Sequence, residues 1–431
     1  MERKVLGQLL DWKNSKRRKP LVIEGARQVG KTWAVKEFGK RHYQNLAYIN
    51  FEEAKHLQGL FVQDYDTDRI LRAIRTQCGV PCDAGKTLIF LDEIQEAEGG
   101  LSVLKYFQEN CPEQHIIVAG SLLGISLHKG VSFPVGKVNF LRMHPMNFIE
   151  FLEAVGDGML ASAIETKDLD TMVLFHDKLT NRLKEYYFVG GMPEAVQAFA
   201  DDAEWNEIRD IQHEILRGYE DDFSKHAEGA LVERLRQVWR SIPNQLSREN
   251  KKFVFGLVRE GARAREYEMA LQWMFDAGIL HQVNGVTKPG IPLSAYRDEK
   301  AFKVFLVDVG LLSAMSGLDA RTLLHGSDVF TEFKGALTEQ YVFQQLNEKH
   351  ELYYWSKDNS RQEVDLLMQH DNALLPIECK AEENLKAKSL KSFIDNQNIQ
   401  RAIKVSMKPY HDSGLVIVNV PLYMVGHHMN K

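Results

Sequence analysis

One stretch near the start of this 431-residue chain decides its fold: Leu21-Val22-Ile23-Glu24-Gly25-Ala26-Arg27-Gln28-Val29-Gly30-Lys31-Thr32. The apolar run at its start predicts a short buried strand, and the residues from Thr32 to about Lys40 predict a helix. In the glycine-containing loop between them, backbone N–H groups can point together at phosphates. Lys31 can then reach the β- and γ-phosphate oxygens, and the Thr32 hydroxyl can reach Mg²⁺. The positive end of the helix dipole adds to the same site.

This loop predicts that the chain binds a nucleoside triphosphate, ATP, together with Mg²⁺. The residues expected to bind the nucleotide are Gly25, Ala26, Arg27, Gln28, Val29, Gly30, Lys31, Thr32 and Trp33.

A second segment, Thr87-Leu88-Ile89-Phe90-Leu91-Asp92-Glu93, predicts an apolar strand that brings two adjacent carboxylates to its carboxyl end. Phosphoryl transfer to water needs such a pair: Asp92 would hold Mg²⁺, and Glu93 would orient and deprotonate the attacking water. A solvated acid at a strand end is the alternative for this segment alone. The loop upstream favours the catalytic interpretation.

A third segment, His115-Ile116-Ile117-Val118-Ala119-Gly120-Ser121, predicts a strand that ends in a hydroxyl. We expect it to lie between the loop and the Asp92 strand, where Ser121 would sense the γ-phosphate. A serine that caps the next turn is the alternative.

Five short apolar strands alternate with helical segments in the first 150 residues, which predicts a parallel sheet covered on both faces with its ligand at the carboxyl ends. The predicted strands are Leu21–Glu24, Leu46–Phe51, Thr87–Asp92, His115–Ala119 and Val138–Met143.

These motifs, with Leu91-Asp92-Glu93-Ile94-Gln95 and the later Gly190-Gly191-Met192-Pro193-Glu194, resemble the AAA-type P-loop ATPase family of bacteria and archaea. The resemblance covers most of the chain and implies a C-terminal domain of unknown function. It also implies that the catalytic positions are Lys31, Thr32, Asp92 and Glu93, with Ser121 as the sensor. No arginine finger can be placed, because Arg142 fits a solvated strand end better.

Composition limits the function classes. A hydrophobic content of 44% suits sizeable cores, and a formal net charge of −5 excludes a strongly basic, whole-surface nucleic-acid binder while leaving room for a local positive patch. No apolar run approaches the length needed to span a bilayer, and the first residues do not form a secretory signal. We expect a cytoplasmic protein with no membrane partner, and self-association stays open.

The middle of the chain is predicted to be mainly helical. Residues 151–225 are expected to form a helical lid over the nucleotide, with a surface loop near Val155–Asp168 and a turn at Gly190-Gly191.

Residues 226–325 predict a winged-helix-like domain. Its expected helices are Ala230–Gln245, Glu249–Arg259 and Ala264–Ala277, and its expected hairpin strands are Ile279–Val283 and Lys303–Leu306. Basic residues make DNA contact by the third helix one interpretation. Acidic residues are interleaved with them, which favours a role in protein packing as the other interpretation.

In the last part of the chain, apolar runs flank Asp371-Asn372, a dipeptide suited to a two-residue hairpin turn. Closing that turn places Asp365 opposite Glu378 and Glu363 opposite Lys380. Because side chains alternate along a strand, Asp365, Glu378 and Lys380 are then expected within reach of one another.

Two close carboxylates repel each other unless a cation compensates them, so we expect Mg²⁺ there, with Asp365 and Glu378 as ligands and Lys380 next to the attacking water. A preceding helix could add the Glu339 carboxylate. This order resembles the restriction-endonuclease-like core over residues 333–431, with late strands at Arg401–Ser406 and Leu415–Val420. The alternative is a solvated ion-pair cluster on a nuclease-like fold that does not cut.

Together these patterns predict an α/β protein in four parts: a P-loop NTPase core with a parallel sheet (residues 1–150), a helical lid (151–225), a winged-helix-like domain (226–325) and a restriction-endonuclease-like α/β domain (326–431). The first hypothesis is a Mg²⁺-dependent ATPase that acts as a switch for a nuclease-like domain acting on DNA. The second is a nucleotide-regulated module that binds DNA or protein without cutting.

Overall fold

The computed structural model of the chain describes residues 1–121, 123–124, 136–248, 251–325, 331–357, 362–370, 372–381 and 388–428. The chain divides into two compact units. The amino-terminal unit consists of Glu2–His144 and Asp276–Ile279, and the carboxyl-terminal unit consists of Pro145–Phe275 and Leu280–Lys431, with Met1.

The amino-terminal unit is built on a five-stranded sheet in which every pairing is parallel, in the order β2-β3-β4-β1-β5. Its elements in chain order are α1 (Val5–Asn14), β1 (Leu21–Glu24), α2 (Lys31–His42), β2 (Asn45–Asn50), α3 (Thr67–Cys78), β3 (Thr87–Asp92), α4 (Val103–Asn110), β4 (His115–Ala119) and β5 (Asn139–Arg142). All residues of β3 and β4 are buried, as expected for inner strands of a parallel sheet covered on both faces.

This sheet confirms the predicted P-loop NTPase fold. All five predicted strands form, and β1, β3 and β4 have the predicted bounds. The register pairs Ile23 with Ala119 and Ala119 with Asp92, so the carboxyl ends of β1, β4 and β3 lie side by side.

The carboxyl-terminal unit contains a seven-stranded mixed sheet in the order β12-β11-β10-β9-β8-β6-β7. Its strands are β6 (Leu280–Val286), β7 (Arg297–Leu306), β8 (Tyr353–Ser356), β9 (Glu363–His370), β10 (Ala373–Cys379), β11 (Ala402–Ser406) and β12 (Ile417–Pro421). Its helices are α5 (Phe148–Ala154), α6 (Gly158–Thr166), α7 (Leu169–Leu174), α8 (His176–Val189), α9 (Pro193–Ala200), α10 (Trp205–His226), α11 (Ala230–Ser247), α12 (Phe255–Val258), α13 (Ala264–Asp276), α14 (Val309–Met315), α15 (Ala320–His325), α16 (Thr331–Leu346), α17 (Lys388–Gln397) and α18 (Val425–His428).

The predicted second helix of the winged-helix-like region, Glu249–Arg259, does not form over most of the residues that the structure describes, so this prediction is wrong. Only Phe255–Val258 is helical, while Lys252 bridges Lys303 as an antiparallel partner and the Phe253 N–H donates to the Phe302 carbonyl at 2.8 Å. The rings of Phe253 and Phe302 stack with centroids 5.3 Å apart. Residues 252–253 therefore lie extended along the edge of β7. The extended form is favoured because the backbone of this segment forms hydrogen bonds with β7 and the Phe253 ring stacks on Phe302.

The expected hairpin does form from β6 and β7, but it does not stand as a separate wing. Strand β6 pairs in parallel with β8, so the hairpin is the outer part of the seven-stranded sheet. The division of the chain into four domains stays a prediction.

The prediction of a surface loop near Val155–Asp168 is also wrong. Residues Gly158–Thr166 form helix α6, and this helix buries Leu160, Ala161, Ala163 and Ile164. The apolar residues of this segment recur at helical spacing and form the buried face of α6.

The Gly190-Gly191 turn is held by a buried carboxylate. Asp308 accepts hydrogen bonds from the Gly191 N–H at 2.7 Å, the Leu311 N–H at 3.0 Å and the Gln344 side chain at 3.0 Å. Glycine is required because a Cβ at Gly190 would collide with the Asp308 carboxylate and one at Gly191 with the Met146 carbonyl. This motif therefore ties α8 to the start of α14.

Within the described part of the chain, no helix is both long enough and apolar enough to cross a membrane. The cytoplasmic location stays a prediction.

A pH dependence of stability follows from His115 in β4. Burial lowers its pKa to about 4, and Arg18 and Lys13 add to the effect, while its Nδ1 lies 2.6 Å from the Tyr43 hydroxyl. In the unfolded chain this histidine has a pKa of about 6.5, so below that pH the unfolded state binds a proton that the folded state does not. The stability that the neutral histidine allows above pH 6.5 is therefore lost as the pH falls towards 4. We expect the His115 term of the unfolding free energy to decline over this window by on the order of 2 kcal/mol.

Urea denaturation of His115→Gln between pH 4 and 7 should therefore show a shallower decline than the unmodified chain. His56→Gln, at an exposed position, is the control and should keep the original slope. Equal slopes for all three proteins would contradict the assignment.

Candidate functional site

The loop between β1 and α2 has the backbone geometry of a phosphate cradle. Gly25 has φ 136°, Gln28 has φ 68° and Gly30 has φ 94°, so the chain turns repeatedly through the left-handed region that glycine favours. A Cβ at Gly25 would also collide with the carbonyl oxygen of Met143. The loop therefore wraps tightly before α2 begins at Lys31, and the amides of the first turn of α2 have no partners within that helix.

Lys31 is buried at the base of the loop. Its ammonium donates to the carbonyl oxygens of Gly25 and Ala26, both at 2.8 Å. Burial lowers the pKa of Lys31 to about 8, and the nearby carboxylates of Glu93 and Asp92 oppose that shift. The side chain is thus held within the loop by carbonyl acceptors rather than by a close ion pair.

The hydroxyl of Thr32 donates to the Asp92 carboxylate at 2.7 Å. The Tyr48 hydroxyl donates to the same oxygen of Asp92 at 3.3 Å, and the Glu93 N–H donates to its other oxygen at 3.1 Å. Burial raises the pKa of Asp92, and the hydrogen bond from Thr32 counteracts it. The structure therefore brings together the two side chains that the sequence assigns to Mg²⁺.

Glu93 and Ser121 are direct partners. The Ser121 hydroxyl donates to one Glu93 oxygen at 2.8 Å, and the Ser121 N–H donates to the other at 3.2 Å. Glu93 itself has φ 48°, a left-handed backbone that is uncommon for glutamate. Strand β4 lies between β3 and β1, so Ser121 follows the strand between the acid pair and the loop. Its role as a sensor stays a prediction.

Three residues of this site were missed by the sequence analysis: Gln95, Tyr48 and Arg3. Gln95 donates to Glu93 at 2.5 Å. Arg3 is buried and donates to the carbonyl oxygens of Val29 and His144, each at 2.9 Å. The Arg3 contacts have no sequence signal, because Arg3 lies 26 and 141 residues before its two partners. Gln95 belongs to the motif that carries the family resemblance, but no role was assigned to it.

Two further predicted residues lie at the periphery of the amino-terminal unit. Trp33 is 42% exposed on the first turn of α2. Arg142 is exposed on β5, paired in register with Glu24 and on the opposite side of β1 from β4.

These residues fit a magnesium nucleotide. The loop has no room for a side chain at Gly25, and Lys31 supplies a buried ammonium. Thr32 and Asp92 supply a hydroxyl and a carboxylate at hydrogen-bond distance from each other. Oxygen atoms of this kind are the ligands that Mg²⁺ prefers.

The second group of predicted site residues lies in the carboxyl-terminal unit. Strands β9 and β10 pair antiparallel in the predicted register, with His370 opposite Ala373 and Leu366 opposite Ile377, which makes Asp365 and Glu378 the next pair. The turn residue Asp371 lies outside the described residues. Asp365 accepts the Cys379 N–H at 2.7 Å, and Lys380 forms an ion pair with Glu378 at 2.5 Å.

Two lysines that the sequence analysis did not consider as part of this site neutralise Glu339. Both Lys251 and Lys303 form ion pairs with it, the latter at 2.8 Å. Lys303 also pairs with Glu363 at 2.5 Å, so Glu363 bonds to Lys303 rather than to Lys380. Burial alone would raise the pKa of Glu339, but Lys251 and Lys303 lower it to about 2. We refer to these residues, with Asp365, Glu378 and Lys380, as the acid–lysine cluster.

Glu378 is only partly compensated by its ion pair with Lys380. Burial raises its pKa to about 7, reinforced by Asp365, and Lys380 opposes the shift. Its Oε2 atom is buried with no hydrogen-bond partner among the described residues. Over that same part of the chain, no group of three or more His, Cys, Asp or Glu side chains is arranged to hold a metal ion.

Three family models match separate parts of the chain. Residues 17–152 match an AAA domain, residues 180–322 match a domain of unknown function (DUF8612), and residues 334–423 match another domain of unknown function (DUF4143). No curated protein matches the chain. The first match agrees with the P-loop fold of the amino-terminal unit. The restriction-endonuclease-like core stays a prediction.

Among solved structures, the chain is similar to the Orc1 protein of Aeropyrum pernix in complex with DNA, at 12% identity and a TM-score of 0.26, over 73% of this chain and 90% of that one. It is similar to Cdc6p from Pyrobaculum aerophilum at 12% identity and a TM-score of 0.25, over 75% and 93%. The Drosophila ORC bound to DNA has 12% identity and a TM-score of 0.25, over 75% and 94%. We infer no function from likenesses this low.

Arg3→Ala should loosen the nucleotide loop. The substitution leaves the carbonyls of Val29 and His144 without these donors, so we expect the free energy of unfolding to fall by about 2 kcal/mol. ATP binding should weaken several-fold in isothermal titration calorimetry. Arg17→Ala, at an exposed arginine of the same unit, should change neither quantity. Unchanged stability and affinity in Arg3→Ala would show that the loop does not depend on this anchor.

Proposed function

We propose that the amino-terminal unit binds ATP with Mg²⁺ and hydrolyses it. The observation that carries the proposal is the 2.7 Å hydrogen bond between Thr32 and Asp92, because it joins the end of the phosphate loop to the end of the acidic strand. These are the side chains through which P-loop NTPases hold Mg²⁺. The match of residues 17–152 to an AAA domain supports the same conclusion.

The residues of the loop bind and orient the triphosphate. The amides of the loop and of the first turn of α2 donate to phosphate oxygens, and Lys31 turns from the carbonyls of Gly25 and Ala26 towards the β- and γ-phosphates. The triphosphate brings negative charge next to Lys31, which favours its ammonium form despite burial. Mg²⁺ would be held by Thr32 and Asp92 and would neutralise charge on the phosphates.

Glu93 is the general base in this proposal. Its carboxylate is oriented by two donors from Ser121 and one from Gln95, so it has a defined position beside the acid strand. In this proposal Ser121 responds to the γ-phosphate, because a new acceptor near its hydroxyl would compete with Glu93. Such an exchange would release Glu93 for the attacking water.

Lys31→Ala and Glu93→Gln should separate binding from turnover. We expect Lys31→Ala to weaken ATP binding by roughly 100-fold, since it removes a charged donor to two phosphates. Glu93→Gln should bind ATP normally and lower phosphate release by roughly 100-fold or more, because the amide cannot accept a proton. Binding is measured by isothermal titration calorimetry and turnover by phosphate release with Mg²⁺.

The matched controls are Lys40→Ala on the exposed side of α2 and Glu98→Gln at an exposed position five residues after Glu93. Both should match the unmodified chain. Full turnover by Glu93→Gln would remove it from the general-base role, and full affinity of Lys31→Ala would remove the nucleotide from this loop.

A second candidate function is metal-assisted cleavage of phosphodiesters by the acid–lysine cluster. The unpartnered Oε2 of Glu378 supports it, because a buried carboxylate oxygen with no donor is a position that a cation can satisfy. Asp365 and Glu378 would hold Mg²⁺, and Lys380 would lie beside the attacking water. Glu339 would stay with Lys251 and Lys303 as a structural ion pair, which removes it from the metal ligands.

The competing interpretation is a module that binds DNA or protein without cutting. Its support is the charge balance of the cluster: Lys251, Lys303 and Lys380 face Glu339, Glu363, Asp365 and Glu378. Three ammonium groups against four carboxylates leave one negative charge. Burial raises the pKa of Glu378 to about 7, so a proton on Glu378 removes this charge as the pH falls through that value. The cluster is then neutral without a metal.

Nicking of a supercoiled plasmid distinguishes the two. Metal-assisted cleavage predicts nicking with Mg²⁺ that chelation stops and that Asp365→Ala reduces by roughly 100-fold or more, because a metal ligand is lost. Asp395→Ala, at an exposed aspartate of α17, is the control. A plasmid that stays intact with the unmodified chain supports the module that does not cut. Retained nicking by Asp365→Ala assigns the activity elsewhere.

A further inference from the structure

A cavity lies among helices α10, α11 and the end of α14, all within the carboxyl-terminal unit. Its volume is about 430 Å³, and neither the nucleotide loop nor the acid–lysine cluster contributes to its lining. Helix α10 lines it with His213, Leu216, Arg217 and Glu220, whose spacing of i, i+3, i+4 and i+7 puts them on one helix face. The volume falls within the range of small-ligand sites.

The floor of this cavity is apolar and well supported. Leu216 and Trp239 are buried, and the Trp239 ring packs edge-on against Tyr219, with centroids 6.0 Å apart, and against Phe223, at 5.8 Å. Pro243 lies one turn beyond Trp239 and has no N–H to donate to the Trp239 carbonyl. A ring held on two sides cannot turn to fill the space, so the cavity is preformed.

The mouth of the cavity is positively charged. Arg217 and Arg240 are both exposed there, and across the described ranges neither forms an ion pair or a side-chain hydrogen bond. Arg217 lies three residues from both Glu214 and Glu220, a spacing that allows helical ion pairs, yet it pairs with neither.

An exposed arginine elsewhere in the chain can be fully paired with carboxylates. Arg41, for example, contacts Glu2 at 2.9 Å and Glu37 at 2.7 Å. Two guanidinium groups at one cavity against the single carboxylate of Glu220 leave a net charge of +1 among the arginine and glutamate side chains of its lining. Guanidinium groups that have no acid of their own are suited to bind the oxyanion of a ligand.

We propose that this cavity binds a small organic oxyanion, a molecule with an apolar body and a phosphate monoester or carboxylate group. The apolar body packs on Leu216 and Trp239, Arg217 and Arg240 bind the oxyanion, and Glu220 accepts a donor of the ligand. This site is independent of the proposed ATPase.

A small molecule fits the cavity better than a nucleic acid does. Nucleic-acid backbones present repeated phosphates and are bound mainly by charge along an exposed surface. Such a backbone gains nothing from a concave apolar floor, whereas a small ligand buries most of its surface there.

The test uses phenyl phosphate and benzoate as probes, titrated by isothermal calorimetry into the full chain carrying Lys31→Ala, so that the nucleotide loop does not compete for phosphate. We expect one probe molecule to bind per chain and Arg217→Gln or Arg240→Gln to weaken it by roughly ten-fold each. Tighter binding of phenyl phosphate assigns a phosphate monoester, and tighter binding of benzoate assigns a carboxylate.

Arg234→Gln on the exposed part of α11 outside the cavity is the matched control and should leave affinity unchanged. All three arginines are exposed, so thermal unfolding is expected to stay as in the parent and verifies folding. The proposal is overturned if neither probe binds, if Arg234→Gln weakens binding as much as the cavity variants do, or if a short DNA duplex displaces the probe through Arg217 and Arg240.

Discussion

The hydrogen bond between Thr32 and Asp92 is the contact on which the amino-terminal unit is organised. It joins the start of α2 to the end of β3, two strands away from the β1 strand that leads into the loop. The start of α2 and the end of β3 lie close together because the carboxyl ends of the parallel strands are aligned. The register pairs Ile23 of β1 with Ala119 of β4, and Ala119 with Asp92 of β3. Gly25 completes the arrangement, since any side chain there would push the loop away from Met143.

The carboxyl-terminal unit depends on a different constraint, the burial of Lys303 and Glu339. Lys303 has no exposed side-chain surface and Glu339 almost none, so each ion is tolerable only because the other is present. Their pairing joins β7 to α16, and Lys251 and Glu363 add the segment before α12 and strand β9. The burial of these charges thus links the outer hairpin to the rest of the seven-stranded sheet.

The sequence predicted elements well where a local pattern dominated. Strands β1, β3 and β4 are apolar runs with clear ends, and the hairpin of β9 and β10 has the register implied by its turn. It failed at residues 251–254, which were predicted to be helical, while the edge of β7 offered backbone hydrogen bonds. Long-range pairing overrides local preference because a segment's propensity amounts to less than several satisfied backbone groups.

By itself, the sequence determined the phosphate loop, the acid pair after β3 and the candidates Asp365, Glu378 and Lys380, because each depends on spacing along one or two adjacent segments. Only the tertiary structure decided that Arg3 holds the loop, that Ser121 bonds to Glu93, and that Lys251 and Lys303 neutralise Glu339. The last of these pairs side chains 36 to 88 residues apart. No pattern in the sequence identifies the partner of a charged residue. Ion pairs at such separations can therefore be assigned only after the sheet and the helices have fixed the position of each side chain.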